Sequence, residues 1–486
     1  MENNTVILIT LVLYKLVLIG IGFWASRFNK TEGDFFLAGQ GLGPWVAGLS
    51  YAASTSSAWV LLGFSGFVFA VGVSALWMIP GIWAGYVVMW LGFGRRLREE
   101  TTEKGHVTLT DFLTSGIAPS QRISIAIAAS LMVLFCFVFY IAAQFGAAAL
   151  AFESEFGTGR VESVMIGAGV VLLYGLLGGF WAVSITDMLQ GLMMAAIAII
   201  LPTAAFFAAG GWEGIFTTLS ATAPESYLSL TGLQPSLVFL GFAVGVASIG
   251  LGTFGQPHLM SRIMALKDDK SRHQGFAIAM SWAVIIYIGM SVLALSARAL
   301  FGSLEDGESL FYRVASEYLP AALAGIVIAS VLSAVMSTVD SILLSASAAV
   351  AHDMKLAQRF PGREVLVSRL VMVSIAVLAV IMTLTLDATI FDRVLFAWSA
   401  LGAAFGPIVL MRVLGIEPQP GAILLAMILG FFTTVVFYAL GQSGALANPI
   451  LETLRGFAAL PGDPFERLVP WLAPLILLLI WRQKRS

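Results

Sequence analysis

Met336-Ser337-Thr338-Val339-Asp340-Ser341 lies inside an apolar run, 321–350, long enough to cross a bilayer. Hydrocarbon offers no water to a hydroxyl or a carboxylate. An acid at the centre of a membrane helix costs about 2.5–3.5 kcal/mol on insertion scales. A helix carrying Ser333, Ser337, Thr338, Asp340 and Ser341 within nine positions must therefore face a partner, an ion or a water-filled path. Ser333, Ser337, Asp340 and Ser341 follow i, i+4, i+7, i+8 and share one face.

The rest of the chain sets that helix among many others. The sequence is 59% hydrophobic and 11% charged, against about 25% charged in soluble proteins. Its apolar runs suit helices rather than barrel strands, which predicts an all-α polytopic membrane protein. A net charge of −2 gives no case for nucleic-acid binding. The single Cys136 excludes an intrachain disulfide and reads as a small buried hydrophobe. Residues 5–26 read as a retained first span, since an acid stands at the N-terminus and no small-residue cleavage site follows.

Thirteen spans are expected, at 5–26, 42–70, 72–94, 123–151, 162–183, 185–209, 236–260, 274–301, 319–350, 366–386, 390–411, 420–440 and 467–481. With the N-terminus outside, 19 of the 26 Lys+Arg fall on the inner side and six on the outer, a strong positive-inside bias. An odd count then puts the C-terminus in the cytoplasm. Of 28 acids, 15 fall outside and 11 inside, which leaves Asp187 and Asp340 within the apolar pattern. Such acids are candidate functional groups.

Two spans read as broken. The second contains Ser50-Tyr-Ala-Ala-Ser-Thr-Ser-Ser57, rich in side chains that compete for backbone hydrogen bonds. The seventh contains Gly250-Leu-Gly252-Thr-Phe-Gly255-Gln-Pro257, which weakens a helix and frees carbonyls. Each opens a set of five spans, and because five is odd the second set is inverted. That pattern points to an inverted-repeat secondary transporter with a midplane site. The repeats are expected at 42–209 and 236–411, with one helix before and two after, at 420–481. The bland alternative for either break is close packing through glycine.

Hard cations take oxygen ligands. Carbonyls freed in the second span and hydroxyls of Ser337 and Thr338 suit a monovalent ion. The competing reading is that these hydroxyls bond carbonyls of their own helix. Asp187 closes Ser184-Ile-Thr-Asp187, which fits a helix-start capping box as well as an ion-path acid. His258 and His352 stand far apart with no metal-ligand spacing. No P-loop, GxSxG or HExxH occurs, so neither an ATP-driven pump nor a common hydrolase is indicated, and no enzyme activity or organic cofactor is expected.

The segments Leu37-Ala-Gly-Gln-Gly-Leu-Gly-Pro44, Gly178-Gly-Phe-Trp-Ala-Val-Ser-Ile-Thr-Asp187, Phe254-Gly-Gln-Pro-His258, Ala334-Val-Met-Ser-Thr338 and Gly402-Ala-Ala-Phe-Gly-Pro407 together resemble the sodium/solute symporter family, most of all its bacterial sodium/proline branch. The resemblance covers about residues 5–412. It implies a five-plus-five inverted-repeat core, alternating access, a bacterial inner-membrane location and sodium between the second and ninth spans. By motif position it implies carbonyl ligands from Ala53, Ser56 and Ala334 and hydroxyl ligands from Ser337 and Thr338. It places Asp187 near the sodium path, and Ser57 and Tyr140 near substrate or ion.

Departures from the branch are informative. An aspartate of proline symporters is replaced here by Thr55, which supplies no charge, and aromatic positions are Ile249 and Thr253, although Pro257 remains. The expected function is sodium-coupled symport of a small organic solute, with an amino acid such as L-proline as first guess. Another amino acid, a small carboxylate or an osmolyte is a second reading, with a proton carried by Asp340 or Asp187 as a variant of it. A third is a transporter-like sensory module, for which the short tail after the last span leaves no kinase domain. The partners expected are the solute, sodium and the lipid bilayer, with no obligatory protein partner.

Overall fold

The computed structural model describes residues 13, 16–18, 20, 21, 24, 32–175, 179–360, 362–386 and 389–482. The expected first span, 5–26, lies for the most part outside the described residues. The membrane helices are α1 (Pro44–Val71), α2 (Val73–Lys104), α4 (Pro119–Phe156), α5 (Arg160–Gly175), α6 (Phe180–Ala208), α7 (Ser236–Gly255), α9 (Asp269–Phe301), α10 (Ala321–Ala348), α11 (Glu364–Thr385), α12 (Ile390–Val413), α13 (Pro420–Gly441) and α14 (Val469–Ile480). Two short helices complete the core, α3 (Leu109–Leu113) and α8 (Pro257–Met264).

Ten helices among the described residues are long and apolar enough to span a membrane. The expected fifth and thirteenth spans correspond to the shorter α5 and α14, of 16 and 12 residues. The junction of spans five and six differs from expectation. Helix α6 starts after Gly179 rather than at 185, so Asp187 sits within the helix and is not its cap. The capping-box pattern there is a coincidence of residue types. Helix α2 runs past its expected end at 94 to Lys104, carried by Glu–Arg and Glu–Lys pairs four residues apart.

Helices α1, α10 and α12 form the centre: 83%, 83% and 94% of their most apolar windows are buried, against 33% for α11. Both expected breaks are present. Helix α1 breaks at Ser57, which takes φ 41° and ψ −167°. Helix α7 tightens to a 3-10 turn over Ser248–Gly255, and Gln256 is extended before α8 starts at Pro257. The glycines of this second break serve packing too. A Cβ on Gly250 would lie 2.0 Å from the carbonyl oxygen of Gly81 on α2, and one on Gly255 2.0 Å from that of Leu401 on α12. Glycine therefore both weakens α7 and lets it wedge between two backbones.

The start of one broken helix is tied to the end of the other. The backbone N–H of Leu42 donates to Ala265 O (3.0 Å) and that of Lys267 to Leu42 O (3.1 Å), so α8 moves with the start of α1. At the opposite end, Glu308 accepts from the backbone N–H groups of Ile390 (3.2 Å) and Phe391 (3.1 Å), which opens α12. Burial pushes the Glu308 carboxyl up to about 7, against the pull of those two N–H groups. A raised carboxyl favours its protonated form in the fold, so the contribution is complete below about 4.5 and is lost as pH rises through about 7. Hydrogen exchange at 390–392, corrected for intrinsic rates, should quicken between pH 5 and pH 8. Glu308→Gln should flatten that dependence, and an unchanged profile in the variant would refute the assignment.

Candidate functional site

The break in α1 is held by a side chain from α4. Gln144, fully buried, accepts from the backbone N–H of Ala58 (3.3 Å) and donates to Ser57 Oγ (3.3 Å). Ser57 Oγ also accepts from the backbone N–H of Trp59 (3.2 Å). These contacts satisfy N–H groups that the break would otherwise orphan, and they stabilise a backbone conformation that costs a non-glycine residue about 1–3 kcal/mol. Around the break stand Tyr86, Tyr140 and Tyr287, all buried, with no hydrogen-bond partner for any of the three hydroxyls among the described residues. Buried phenols normally find partners. Their convergence leaves a polar lining beside a half-helix N-terminus.

On the other side of the break α1 packs against α10. Ser54 Oγ donates to Ser337 O (3.3 Å) and shares a hydrogen bond with Ser341 Oγ (3.2 Å). Ser337 Oγ turns to Ala334 O (3.1 Å), while Thr338 Oγ1 and Ser56 Oγ are buried with no partner among the described residues. These two buried hydroxyls, one on α1 at the break and one on α10, add neutral oxygens to a contact between the two helices that carries no net charge. That donor set fits a hard monovalent cation.

One turn back along α1, toward Ser50, lies a buried ion pair. Arg262 on α8 donates to Asp187 Oδ2 on α6 (2.9 Å), both side chains being 0% exposed. The same carboxylate oxygen accepts from Ser50 (2.7 Å) and Ser54 (3.3 Å) of α1 and from Ser341 (3.4 Å) of α10. Arg262 also donates to Ser50 Oγ (3.1 Å), His258 O (2.5 Å) and Ser341 Oγ, and its guanidinium lies 5.0 Å over the Phe180 ring. Four helices thus meet at one guanidinium–carboxylate pair. Ser54 joins the lock to Ser337, whose carbonyl oxygen accepts from it (3.3 Å).

The family model for the sodium:solute symporter family matches residues 35–430. The chain belongs to that family. The symporter is 32% identical to the osmoregulated proline transporter OpuE of Bacillus subtilis, over 93% of this chain and 92% of that protein. It is 31% identical to the sodium/proline symporter of Escherichia coli, over 94% and 91%. Its fold is that of a sodium-coupled sialic acid symporter solved substrate-bound and outward-open, with a TM-score of 0.78 at 17% identity over 99% of both chains. A nucleobase-cation-symport-1 family transporter solved in a closed conformation matches with a TM-score of 0.52 at 13% identity, over 91% and 98%. The symporter is therefore a multi-pass membrane transporter, not an enzyme, and it couples solute movement to sodium.

Other residues singled out from the sequence distribute unevenly in the symporter. Thr55 spends its hydroxyl on Tyr51 O (2.6 Å), four residues back in its own helix. Asp340 is buried in α10, on the helix face that carries Ser337 and Ser341. Thr253 and Ile249 are buried in the 3-10 segment of α7. Beside them Trp398 of α12 packs on Gly252 and accepts through its carbonyl from Gln256 (3.4 Å). Pro257 starts α8 and instead lines a small cavity with Ser261 and Asp353, below the lock.

Sequence reading missed Gln144, Tyr86, Tyr287 and Arg262. Gln144 was a polar residue on an otherwise apolar helix, a signal open to reading; Arg262 was counted as an inner-loop cation and is instead fully buried. Dispersed histidines also hid a cluster. His352 Nε2 meets Asp111 Oδ2 (3.2 Å), and Asp353 accepts from Thr108 (2.7 Å), so Asp111, His352 and Asp353 converge. Burial pushes the Asp111 carboxyl up, but the His352 contact, the Val107 N–H and Arg122 outweigh it and hold the group at about 2. With those partners Asp111 is a latch between α3 and the end of α10.

Gln144→Ala removes both contacts at the break and leaves the Ala58 N–H unsatisfied, a loss of about 1–3 kcal/mol. The solute KM should rise about tenfold with the sodium dependence little changed. Initial-rate uptake at saturating sodium checks this, and an unaltered KM would contradict the role.

Proposed function

We propose that the symporter moves a small zwitterionic amino acid, L-proline first among them, inward with sodium by alternating access. The relatives' names supply the substrate class. The observation that carries the mechanism is Thr338 Oγ1, buried with no partner among the described residues, on the helix whose Ser337 carbonyl accepts from Ser54 of α1. Sodium is held by the carbonyls of Ala53, Ser56 and Ala334 and the hydroxyls of Ser337 and Thr338. The solute lies against the outer half of α1, where Ser57, Gln144 and Tyr140 meet the positive end of a half-helix, a setting that favours a carboxylate. Ile249 and Thr253 form its farther wall in place of an aromatic pair.

Residues 42–209 and 236–411 act as the two repeats, and 420–481 as the helices that brace them. The N-terminus faces outward and the C-terminus the cytoplasm of a bacterial cell, in keeping with the bias of Lys and Arg. Sodium bridges α1 to α10 at the midplane. The Arg262–Asp187 lock closes the inner path from the same two helices, so filling the seat and closing the lock reinforce each other. An acid already engaged by a guanidinium speaks for sodium rather than a proton as the coupling ion.

Uptake of radiolabelled proline into proteoliposomes under an imposed inward sodium gradient tests this reading. Accumulation that collapses when the gradient is dissipated is the expected result. Accumulation driven by a pH gradient without sodium, or no accumulation of proline, would refute the ion or the substrate respectively.

A further inference from the structure

A groove of about 980 Å³ runs along the outside of α11, walled by α4 and by the segment that follows α10. Its α11 side is a helical stripe at intervals of three and four residues, from Arg363 through Leu370 and Leu378 to Thr385. Helix α11 is 22 residues long, about 33 Å, the thickness of a hydrocarbon core. Phe135 of α4 and Phe360 form the opposite wall near one end. The only two hydroxyls in the groove are already satisfied by their own helix, Ser374 on Leu370 O (2.9 Å) and Thr385 on Ile381 O (2.8 Å). Nothing along the trough asks for water, so an aqueous path is a poor occupant and an alkyl chain a good one.

Charge decides which alkyl chain. Arg363 lines the mouth of the groove. Lys355, Arg359 and Arg363 are exposed there, and none forms an ion pair among the described residues. The one acid among them, Glu364, accepts from the backbone N–H of Gly362 (2.9 Å). A basic mouth on an apolar trough, at the helix end that the positive-inside bias assigns to the cytoplasm, complements an anionic headgroup with its chain laid along the helix.

We propose that this groove is a binding site for an anionic phospholipid of the inner leaflet, its phosphate on Arg363 and an acyl chain between α4 and α11. One surface cation favours an anionic headgroup by about fivefold. The test is native mass spectrometry of the delipidated full chain, titrated in parallel with phosphatidylglycerol and phosphatidylcholine of identical chains. The wild-type protein should retain phosphatidylglycerol about fivefold better. Arg363→Glu should bring the two lipids to parity. Arg369→Glu, the same charge change off the stripe, should leave the preference in place. Ser374→Trp, which fills the trough, should lower retention of both lipids. Equal retention by the wild-type protein would overturn the proposal without recourse to any variant. Equal damage from Arg369→Glu would reduce the effect to general surface charge and overturn the site. A second copy of the chain displacing lipid, seen as dimer at low lipid, would assign the groove to self-association instead.

Discussion

Replacing Ser337 and Thr338 together by alanine should raise the sodium concentration for half-maximal uptake by two orders of magnitude. Each hydroxyl lost from a desolvated cation seat forfeits about 1–3 kcal/mol, and the ion has no water there to replace it. The single variants should differ. Thr338 Oγ1 has no hydrogen-bond partner among the described residues, so Thr338→Ala should remove the proposed ligand and no internal bond. Ser337 Oγ is turned to Ala334 O (3.1 Å), so Ser337→Ala also frees a carbonyl that the ion can use. Thr338→Ala is therefore the more damaging change, and Thr338→Ser, which keeps the hydroxyl, should restore most of the affinity. The solute KM at saturating sodium should move far less in all three. Sodium titrations of initial uptake rates distinguish these outcomes, and a double variant with an unshifted sodium dependence rules out the seat.

The second large effect belongs to the lock. Asp187→Ala strands the Arg262 guanidinium in a site with no exposure, and Arg262→Met strands the carboxylate among Ser50, Ser54 and Ser341. Breaking one side of a buried pair costs about 3–5 kcal/mol, whereas removing both charges is often close to neutral. Each single variant should lose transport and melt well below the wild-type protein. Asp187→Asn combined with Arg262→Met should regain most of the thermal stability without regaining sodium coupling. A double-mutant cycle of Asp187→Asn, Arg262→Met and the two combined, followed in thermal unfolding, should return a coupling of about 6 kcal/mol or more, since two losses of about 3–5 kcal/mol are recovered together. Additive single effects would mean that the two residues act apart.

These two sites were legible in the sequence to different degrees. The seat was readable because its parts are local: hydroxyls at helical spacing on one span, and a serine-rich break on another. The breaks at Ser57 and after Gly255 were readable for the same reason, since glycine, proline and short polar side chains act on their own backbone. Asp187 was found as an acid in an apolar pattern, but its two readings could not be separated, because Ser184-Ile-Thr-Asp187 fits a helix start and a helix interior alike. Its partner was hidden. Arg262 sits five residues after Pro257 in a stretch that reads as an inner loop, and only the return of α8 beneath α1 buries it. The Leu42–Ala265 and Lys267–Leu42 bonds that fix this return join segments more than 200 residues apart, beyond the reach of any local pattern. Gln144 fell between the cases: a lone amide on α4 whose meaning depends on a break in another helix.

Thr55 and Asp340 pose the remaining contrast with the proline branch. Thr55 turns its hydroxyl back to Tyr51 and supplies no charge beside the break. Asp187, held by Arg262, does not take over that charge. The proposed seat would then be built from neutral oxygens, which predicts a modest sodium affinity set mainly by the two α10 hydroxyls.

The most direct measurement is sodium-driven proline uptake by Thr338→Ala and Thr338→Ser proteoliposomes, titrated with sodium at saturating proline. A rise of at least tenfold in the half-saturating sodium concentration for Thr338→Ala, largely reversed in Thr338→Ser, is the predicted result. Superimposable sodium curves for wild type and Thr338→Ala would contradict the placement of sodium between α1 and α10.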